Sequence, residues 1–401
     1  MKVRIQPGVP RGEMEAPPSK SMAHRMLICA ALAEGCSMIR HVDASEDILA
    51  TSDCLQALGA NLSWKGDTVT VTGCDPRQTM PGEMCCRESG STLRFMIPLA
   101  WLSGRETIFR GSEKLMSRPL EVYEEIAREQ DMMFTREPGG LRVRGPLWPG
   151  TFEVPGNISS QFISGLLFAL PFAGEQSRIR IMPPVESRSY LDLTLQALNN
   201  AGVKAAWEDT ETLTIPAGSA YRPQEAVVEG DYSNAAYLEI LNDAGGEVRL
   251  TGLRPDSLQG DRVYGSYLEA IRAGTPELDV TDCPDLAPAL MAAAAMHQGV
   301  RLTGTRRLRL KESDRGAVMT EEMAKFGIRV EKGENEITVH GGNIQTPVKI
   351  LSSHNDHRIA MALAAMCVKT GGTMDGAEAV RKSLPDFWDR LRTLGVAVNS
   401  D

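Results

Sequence analysis

The chain has 401 residues, 42% apolar and 24% charged, and its 43 Lys and Arg against 52 Asp and Glu give a net charge of −9. These proportions exclude a disordered or fibrous chain, and the acidic balance excludes a broad nucleic-acid or anionic-membrane surface, which needs a basic face. The length suits two or three domains, and no apolar run reaches the roughly 18 residues of a membrane span.

In chain order, the first clear element is a helix announced by Ser19-Lys20-Ser21 and continued by MAHRMLICAALAEG, with Pro17 and Pro18 stopping it from extending backwards. A hairpin follows in ANLSWKGDTVTVTG, where alternating residues flank Lys65-Gly66-Asp67. Ser89-Gly90-Ser91 then opens TLRFMIPLAWLSG, a second helix RPLEVYEEIAREQ starts at Arg118, and DMMFTREPGGLRVRGP is again a hairpin. Ser159-Ser160-Gln161 opens FISGLLFALPFAG, followed by the helix RSYLDLTLQALNNAG and the hairpin VKAAWEDTETLTIPAG. These openings recur roughly every 70 residues. Beyond Val228 the pattern is less regular. Openings stand at Asp231-Tyr232-Ser233, Asp285 and Asn355-Asp356, with helices DRGAVMTEEMAKFG and PDFWDRLRTLG and the hairpin IRVEKGENEITVHGG.

One unit therefore reads β-α-β-α-β-β, and roughly six fill the chain. A solenoid is the alternative architecture for such a repeat. Two closed groups of three units fit better, because polar motifs from remote units must converge. The expected class is α/β (α+β), with residues 14–228 in one domain and 1–13 with 229–401 in the other; the chain crosses back near Val228-Glu229-Gly230-Asp231. The eight Cys are scattered, without a CxxC pair, which fits a reducing, cytoplasmic setting.

Helix N-termini carry unpaired N–H donors and about half a positive charge. Ser and Asp at such places are ordinarily caps, but capping does not explain the cations beside them. Lys20 and Arg25 flank the first opening and Arg94 follows the second; Lys311 and Arg315 lie in Lys-Glu-Ser-Asp-Arg, Arg358 in Asn-Asp-His-Arg, and Lys382 before the last helix. Taken singly, each Arg reads as a surface or pairing residue. Gathered at helix openings of an acidic chain, they point to a site for a multiply charged anion. The first opening lacks the glycine spacing of a nucleotide-binding P-loop. His354 and His357, three apart, raise a metal site as a possibility, but as a pair at the start of a helix without further ligands they read as structural.

Four segments together, Ser19-Lys-Ser-x-x-x-Arg25, Ser159-Ser-Gln161, Lys311-Glu-Ser-Asp-Arg315 and Asn355-Asp-His-Arg358, resemble the EPSP synthase family of enolpyruvyl transferases, over Gln6 to Asp386. The resemblance implies two domains, each of three β-α-β-α-β-β units, with the active site in the interdomain cleft. It implies transfer of the carboxyvinyl group of phosphoenolpyruvate to the 5-hydroxyl of shikimate 3-phosphate, through a tetrahedral intermediate that loses phosphate, in the shikimate pathway of aromatic amino-acid biosynthesis. By resemblance, Lys20, Ser21, Arg25, Ser159, Ser160, Gln161, Ser187, Asp285 and Lys311 hold shikimate 3-phosphate. Lys20, Gly90, Arg118, Gln161, Arg315, Arg358 and Lys382 hold phosphoenolpyruvate. Asp285 is the expected base for the hydroxyl, with Glu312 or Lys20 protonating the methylene. Gly90 suits close approach of a small ligand, and Arg94 supports its loop. No cofactor, no metal and no nucleic-acid or membrane partner are expected, and the protein is expected to be a monomer.

Two positions depart from the family pattern: Arg307 stands where relatives often carry Asn, and the glycine loop reads Arg87-Glu-Ser-Gly-Ser-Thr92 instead of Gly-Asn-Ala-Gly-Thr-Ala. Two other readings of the same residues differ in what they require. A UDP-N-acetylglucosamine enolpyruvyl transferase has Lys-Asn near the first helix and a reactive loop Cys; here Ser21 follows Lys20, and Gly111–Ser117 has no Cys. A non-catalytic binder of phosphate ligands needs the cations but not Asp285 and Glu312 together.

Overall fold

The computed structural model describes residues 1–400. The chain divides into two compact units, one formed by Lys20–Val228 and the other by Met1–Ser19 with the chain from Glu229 onward. The first crossing thus lies at Ser19–Lys20 and not at residue 14. Strand pairing is the reason. Arg11–Glu15 runs parallel to Glu247–Thr251, the Ser19 N–H donates to the Glu229 carbonyl at 2.7 Å, and Pro18 bridges to Gly230. Residues 11–19 are held to the later half until the last of these bonds is made.

In the Lys20–Val228 unit the helices are α1 (Lys20–Ala31), α2 (Glu46–Leu58), α3 (Gly90–Trp101), α4 (Glu113–Met116), α5 (Glu121–Glu129), α6 (Ser160–Ala169) and α7 (Arg188–Asn200). Three four-stranded sheets follow one plan, a parallel pair extended by an antiparallel hairpin. In one, Thr151–Pro155 lies parallel to Ser177–Met182, which pairs with the hairpin of Ala206–Trp207 and Thr212–Ile215. In another, Glu225–Val227, the last strand of the unit, lies parallel to Cys36–Arg40 of the first repeat. The end of the unit therefore closes onto its beginning, which a solenoid does not do. Helices α1, α3 and α6 are buried on nearly every side. That is why they read as largely apolar segments without a continuous polar face.

Helices α3 and α6 come close because Gly165 presents no side chain. A Cβ there would lie 2.3 Å from the Tyr123 hydroxyl and 2.5 Å from the Arg94 carbonyl. The Tyr123 hydroxyl donates to the carbonyls of Arg94 (2.7 Å) and Phe162 (3.0 Å), locking the pair. This contact sets the openings of two repeats side by side.

The other unit holds α8 (Tyr232–Glu239), α9 (Tyr264–Ala273), α10 (Ala287–Met296), α11 (Arg315–Ala324), α12 (His357–Thr370) and α13 (Phe387–Thr393). Glu277–Asp279, Gly299–Thr303, Glu336–His340 and Arg329–Lys332 repeat the sheet plan. A second sheet completes it with the chain's first strand, Lys2–Ile5, which pairs with Gly372–Asp375 and Val398–Ser400. The expected six full repeats are not met. Between α9 and Glu277 stand only Gly274, Thr275 and Pro276, too few for a hairpin, so that repeat keeps only its parallel pair. No helix among the described residues is long and apolar enough to cross a membrane.

Candidate active site

Several polar side chains of the Lys20–Val228 unit gather at the N-termini of α1, α3 and α6. Ser89 and Ser159 are caps, accepting from the Thr92 N–H (3.2 Å) and the Gln161 N–H (3.3 Å). A capping hydroxyl keeps its own proton to donate, so a ligand-binding role for Ser159 remains compatible with capping. Lys20, the first residue of α1, donates to Asp47 Oδ2 at 2.8 Å from the first turn of α2. Arg94 donates to Gln161 Oε1 (2.7 Å) and the Pro119 carbonyl (3.2 Å), while Gln161 Nε2 donates to Ser91 Oγ (2.8 Å). Arg94 thus ties α3 to Gln161 of the third repeat, and Gln161 in turn reaches Ser91.

Gly90 opens α3 against Arg118. A Cβ on it would lie 2.6 Å from Arg118 Nη1. The close neighbour is a cation of the same unit, whose Nε is buried without a hydrogen-bond partner. Arg118 does not begin α5, which starts at Glu121; it follows α4 in a turn. Arg25 is buried and donates to Thr194 Oγ1 (2.9 Å) and to the carbonyls of Ser21 (2.6 Å) and Tyr190 (2.9 Å). Burial lowers its pKa to about 10. Ser160 is buried at the start of α6, and Ser187 is a buried left-handed residue (φ 56°) just before α7. Ser21 is half-buried.

In the other unit, acids and bases interlock. Asp285 lies in a tight turn before α10, and its side chain goes to cations rather than to a helix cap. Oδ1 lies 2.7 Å from Arg315 Nη1 and 3.2 Å from Lys311 Nζ, and Oδ2 lies 3.6 Å from Arg358 Nη2. Burial alone pushes the Asp285 carboxyl up, but Lys311, Arg358 and Arg315 together hold it well below the usual range. Glu312 Oε2 lies 3.1 Å from His357 Nδ1 and 3.9 Å from Lys382 Nζ. Burial again acts upward and is outweighed by His357, Lys382 and Arg315, so Glu312 is a carboxylate in the free protein. Arg315 opens α11 and also grips Asp356, Nε to Oδ2 at 2.9 Å and Nη2 to Oδ1 at 3.4 Å. Lys382 Nζ donates to the Asn355 carbonyl at 2.6 Å.

Arg358 differs from these. It is 4% exposed, its guanidinium carbon lies 5.4 Å from the Tyr237 ring centroid, and its Nε and Nη1 have no hydrogen-bond partner. A buried guanidinium with open donors is costly unless an anion completes it.

Reading the sequence missed the acids that hold these cations. Asp47 pairs with Lys20. Asp356 is wholly buried, caps α12 through the Arg358 N–H (3.0 Å) and accepts from Ser313 Oγ (3.0 Å) as well as from Arg315. Asp261 is also buried, and its carboxyl is raised to about 7 by burial and Asp285, with Arg358 opposing. A polar thread through the first unit was also missed: His24 Nδ1 meets Thr51 Oγ1 at 2.7 Å, which meets Thr92 Oγ1 at 2.7 Å. Burial, then Lys20 and Arg25, keep His24 neutral. Asp356 was detectable as a helix cap; its grip on Arg315 was not. Arg307, the departure from the family pattern, is buried in a tight turn before Lys311.

The two histidines considered for a metal do not share a helix turn. His354 precedes the helix in a left-handed conformation, and the two face different carboxylates, Glu322 and Glu312. Glu312, Asp356 and His357 do bring possible ligand atoms within 4.8 Å of one another. Arg315 already neutralises Asp356, and Lys382 lies near Glu312, so cations of the chain fill that role.

The family model described as EPSP synthase (3-phosphoshikimate 1-carboxyvinyltransferase) matches residues 6–391. A 3-phosphoshikimate 1-carboxyvinyltransferase of Clostridium kluyveri is 38% identical, covering 98% of this chain and 97% of its own. One from Clostridium perfringens is 36% identical, covering 98% of both. Among solved structures, an EPSP synthase from Acinetobacter baumannii is similar with a TM-score of 0.81 at 23% identity over all of both chains. The enolpyruvyl transferase NikO from Streptomyces tendae is similar with a TM-score of 0.75 at 14% identity, covering 99% of this chain and 98% of its own.

Proposed function

The chain belongs to the EPSP synthase family, and we propose that the residues gathered at its helix openings bind and activate the two substrates of that family's reaction. The reaction is transfer of the carboxyvinyl group of phosphoenolpyruvate to the 5-hydroxyl of shikimate 3-phosphate, with release of phosphate. Each substrate carries a phosphate and a carboxylate, so catalysis needs many fixed cations, a base for the hydroxyl and an acid for the methylene.

In this reading Lys20, Ser21, Arg25, Ser159, Ser160, Gln161, Ser187, Asp285 and Lys311 hold shikimate 3-phosphate. Lys20, Gly90, Arg118, Gln161, Arg315, Arg358 and Lys382 hold phosphoenolpyruvate. The single observation that carries it is Arg358: a buried guanidinium with open donors, 3.6 Å from the ionised carboxylate proposed as the base. A binder needs the guanidinium, but the adjoining carboxylate opposes anion binding unless it does chemistry. Asp285 stays ionised in the free protein and so can accept a proton. When the substrates bring their negative charge, the cations' hold on it weakens and its basicity rises. The same influx raises Glu312, which must gain a proton before it can protonate the methylene. Lys20, paired with Asp47, is the second candidate for that step.

The test is phosphate release on mixing both substrates, for wild type and Asp285→Asn. The variant is expected to keep its affinity for shikimate 3-phosphate within a few-fold and to lose about 10²–10⁴ in kcat, the usual contribution of a general base. Unchanged turnover in the variant would remove Asp285 from the mechanism.

A further inference from the structure

Lys382 and Arg358 are both tied to one turn, Ser352–Asn355 with its Asp356 cap. His354 and Asn355 are successive left-handed residues, φ 50° and 56°, and neither is glycine. His and Asn enter this region more readily than most residues, but two in succession need support from their surroundings. The turn nonetheless sets two parts of the proposed phosphoenolpyruvate site: the Asn355 carbonyl accepts Lys382 Nζ at 2.6 Å, and Asp356 caps the helix that carries Arg358.

The constraint comes from Glu322. Its side chain is wholly buried in α11, two helical turns beyond Arg315. Oε2 accepts the Ser352 N–H at 3.0 Å, and Oε1 accepts from Lys325 Nζ at 2.7 Å and faces His354 Nε2 at 2.9 Å. Ser352 Oγ accepts the His354 N–H at 3.1 Å, and Ser353 Oγ accepts the Asn355 N–H at 3.1 Å while donating to the Gly376 carbonyl at 2.8 Å. A buried carboxylate is retained only where its partners compensate its desolvation, and here each oxygen has one partner in the turn, the Ser352 N–H on Oε2 and His354 Nε2 on Oε1, beside Lys325 on Oε1. Glu321, Glu322 and His354 also bring possible metal-ligand atoms within 4.8 Å, but the Lys325 ammonium already neutralises the buried carboxylate.

We infer that Glu322 and His354 are positioning residues for phosphoenolpyruvate: they clamp the Ser352–Asn355 turn to α11 and so fix Lys382 and Arg358 relative to Arg315. The inference rests on the reading of Lys382 as a phosphoenolpyruvate residue and deepens it. The helix that presents one cation to the ligand also holds the turn that orders the other two.

The test measures steady-state kinetics for both substrates in wild type, His354→Leu, His354→Gln and Lys382→Ala, with thermal unfolding of each. His354→Leu removes the ring's bond to Glu322. It is expected to raise KM for phosphoenolpyruvate about tenfold, the lower end of what removing a partner that orients a metal ligand costs, with kcat and KM for shikimate 3-phosphate within about twofold. His354→Gln, whose amide can donate to the same carboxylate, restores most of the loss. Glu322→Gln carries the expectation of His354→Leu and takes its place if that variant does not fold. If Lys382→Ala raises the phosphoenolpyruvate KM while His354→Leu does not, the clamp is wrong and the reading of Lys382 stands. If Lys382→Ala leaves that KM unchanged, the reading of Lys382 fails and the inference falls with it. Equal rises for both substrates, or a His354→Gln variant no better than His354→Leu, reduce the pair to a structural contact and overturn the proposal.

Discussion

Burial lowers the Lys311 ammonium to about 8, with Asp285 working against the shift and Arg315 and Arg307 with it. Its charge is therefore present below that pH and is lost as pH rises through it. If Lys311 holds shikimate 3-phosphate, affinity for that substrate falls above about pH 8, and Lys311→Arg, which stays charged, moves the fall out of range. Calorimetric titration between about pH 6.5 and about 9.5 reads this directly; the same decline in both proteins would assign it to another group. At this scale the sequence showed the cations but not their partners. Lys20, Lys311, Arg315 and Arg358 stood out because charge beside a helix opening is unusual. Asp47 and Glu322 did not, because a lone acid on a helix looks the same whether it faces water or a buried cation; Asp356 showed as a helix opening, but its pairing with Arg315 did not. Asp285 illustrates the limit. Its place in a first turn reads as a cap, and only the fold shows its carboxylate turned to three cations.

Helices α1, α3 and α6 were legible because near-complete burial leaves a largely apolar segment, α10 and α12 only by their polar openings, and four hairpins were legible from alternation about a polar turn. Element edges were harder to read. Arg118 looked like the start of a helix that begins only at Glu121, since the residues after it, Pro119 and Leu120, carry no capping side chain. Gly90 gives a test at this scale. In Gly90→Ala the new methyl meets the tip of Arg118, a flexible side chain, so the helix stays formed and the guanidinium is displaced. The expected result is a phosphoenolpyruvate KM raised about tenfold or more, the cost of weakening one charge-assisted contact, with little change in thermal unfolding. A large fall in melting temperature with both KM values unchanged would mean that Gly90 serves packing alone.

For the whole molecule, the repeat foretold two three-repeat units but misplaced one boundary and overcounted the hairpins. The missing hairpin reflects the three-residue link between α9 and Glu277, and the boundary moved through strand pairing. The N-terminal strands, Lys2–Ile5 and Arg11–Glu15, add themselves to sheets whose other strands lie more than 200 residues later, and no local pattern announces such pairing. The proposed function assigns both Arg118 and Arg358 to phosphoenolpyruvate. The most direct measurement is calorimetric titration of phosphoenolpyruvate, in saturating shikimate 3-phosphate, into wild type, Arg118→Ala and Arg358→Ala. Losing one charge-assisted contact costs about 1.5–3 kcal/mol, so each variant, one in each unit, is predicted to bind phosphoenolpyruvate roughly tenfold to a hundredfold more weakly. Wild-type affinity in either variant would contradict the account.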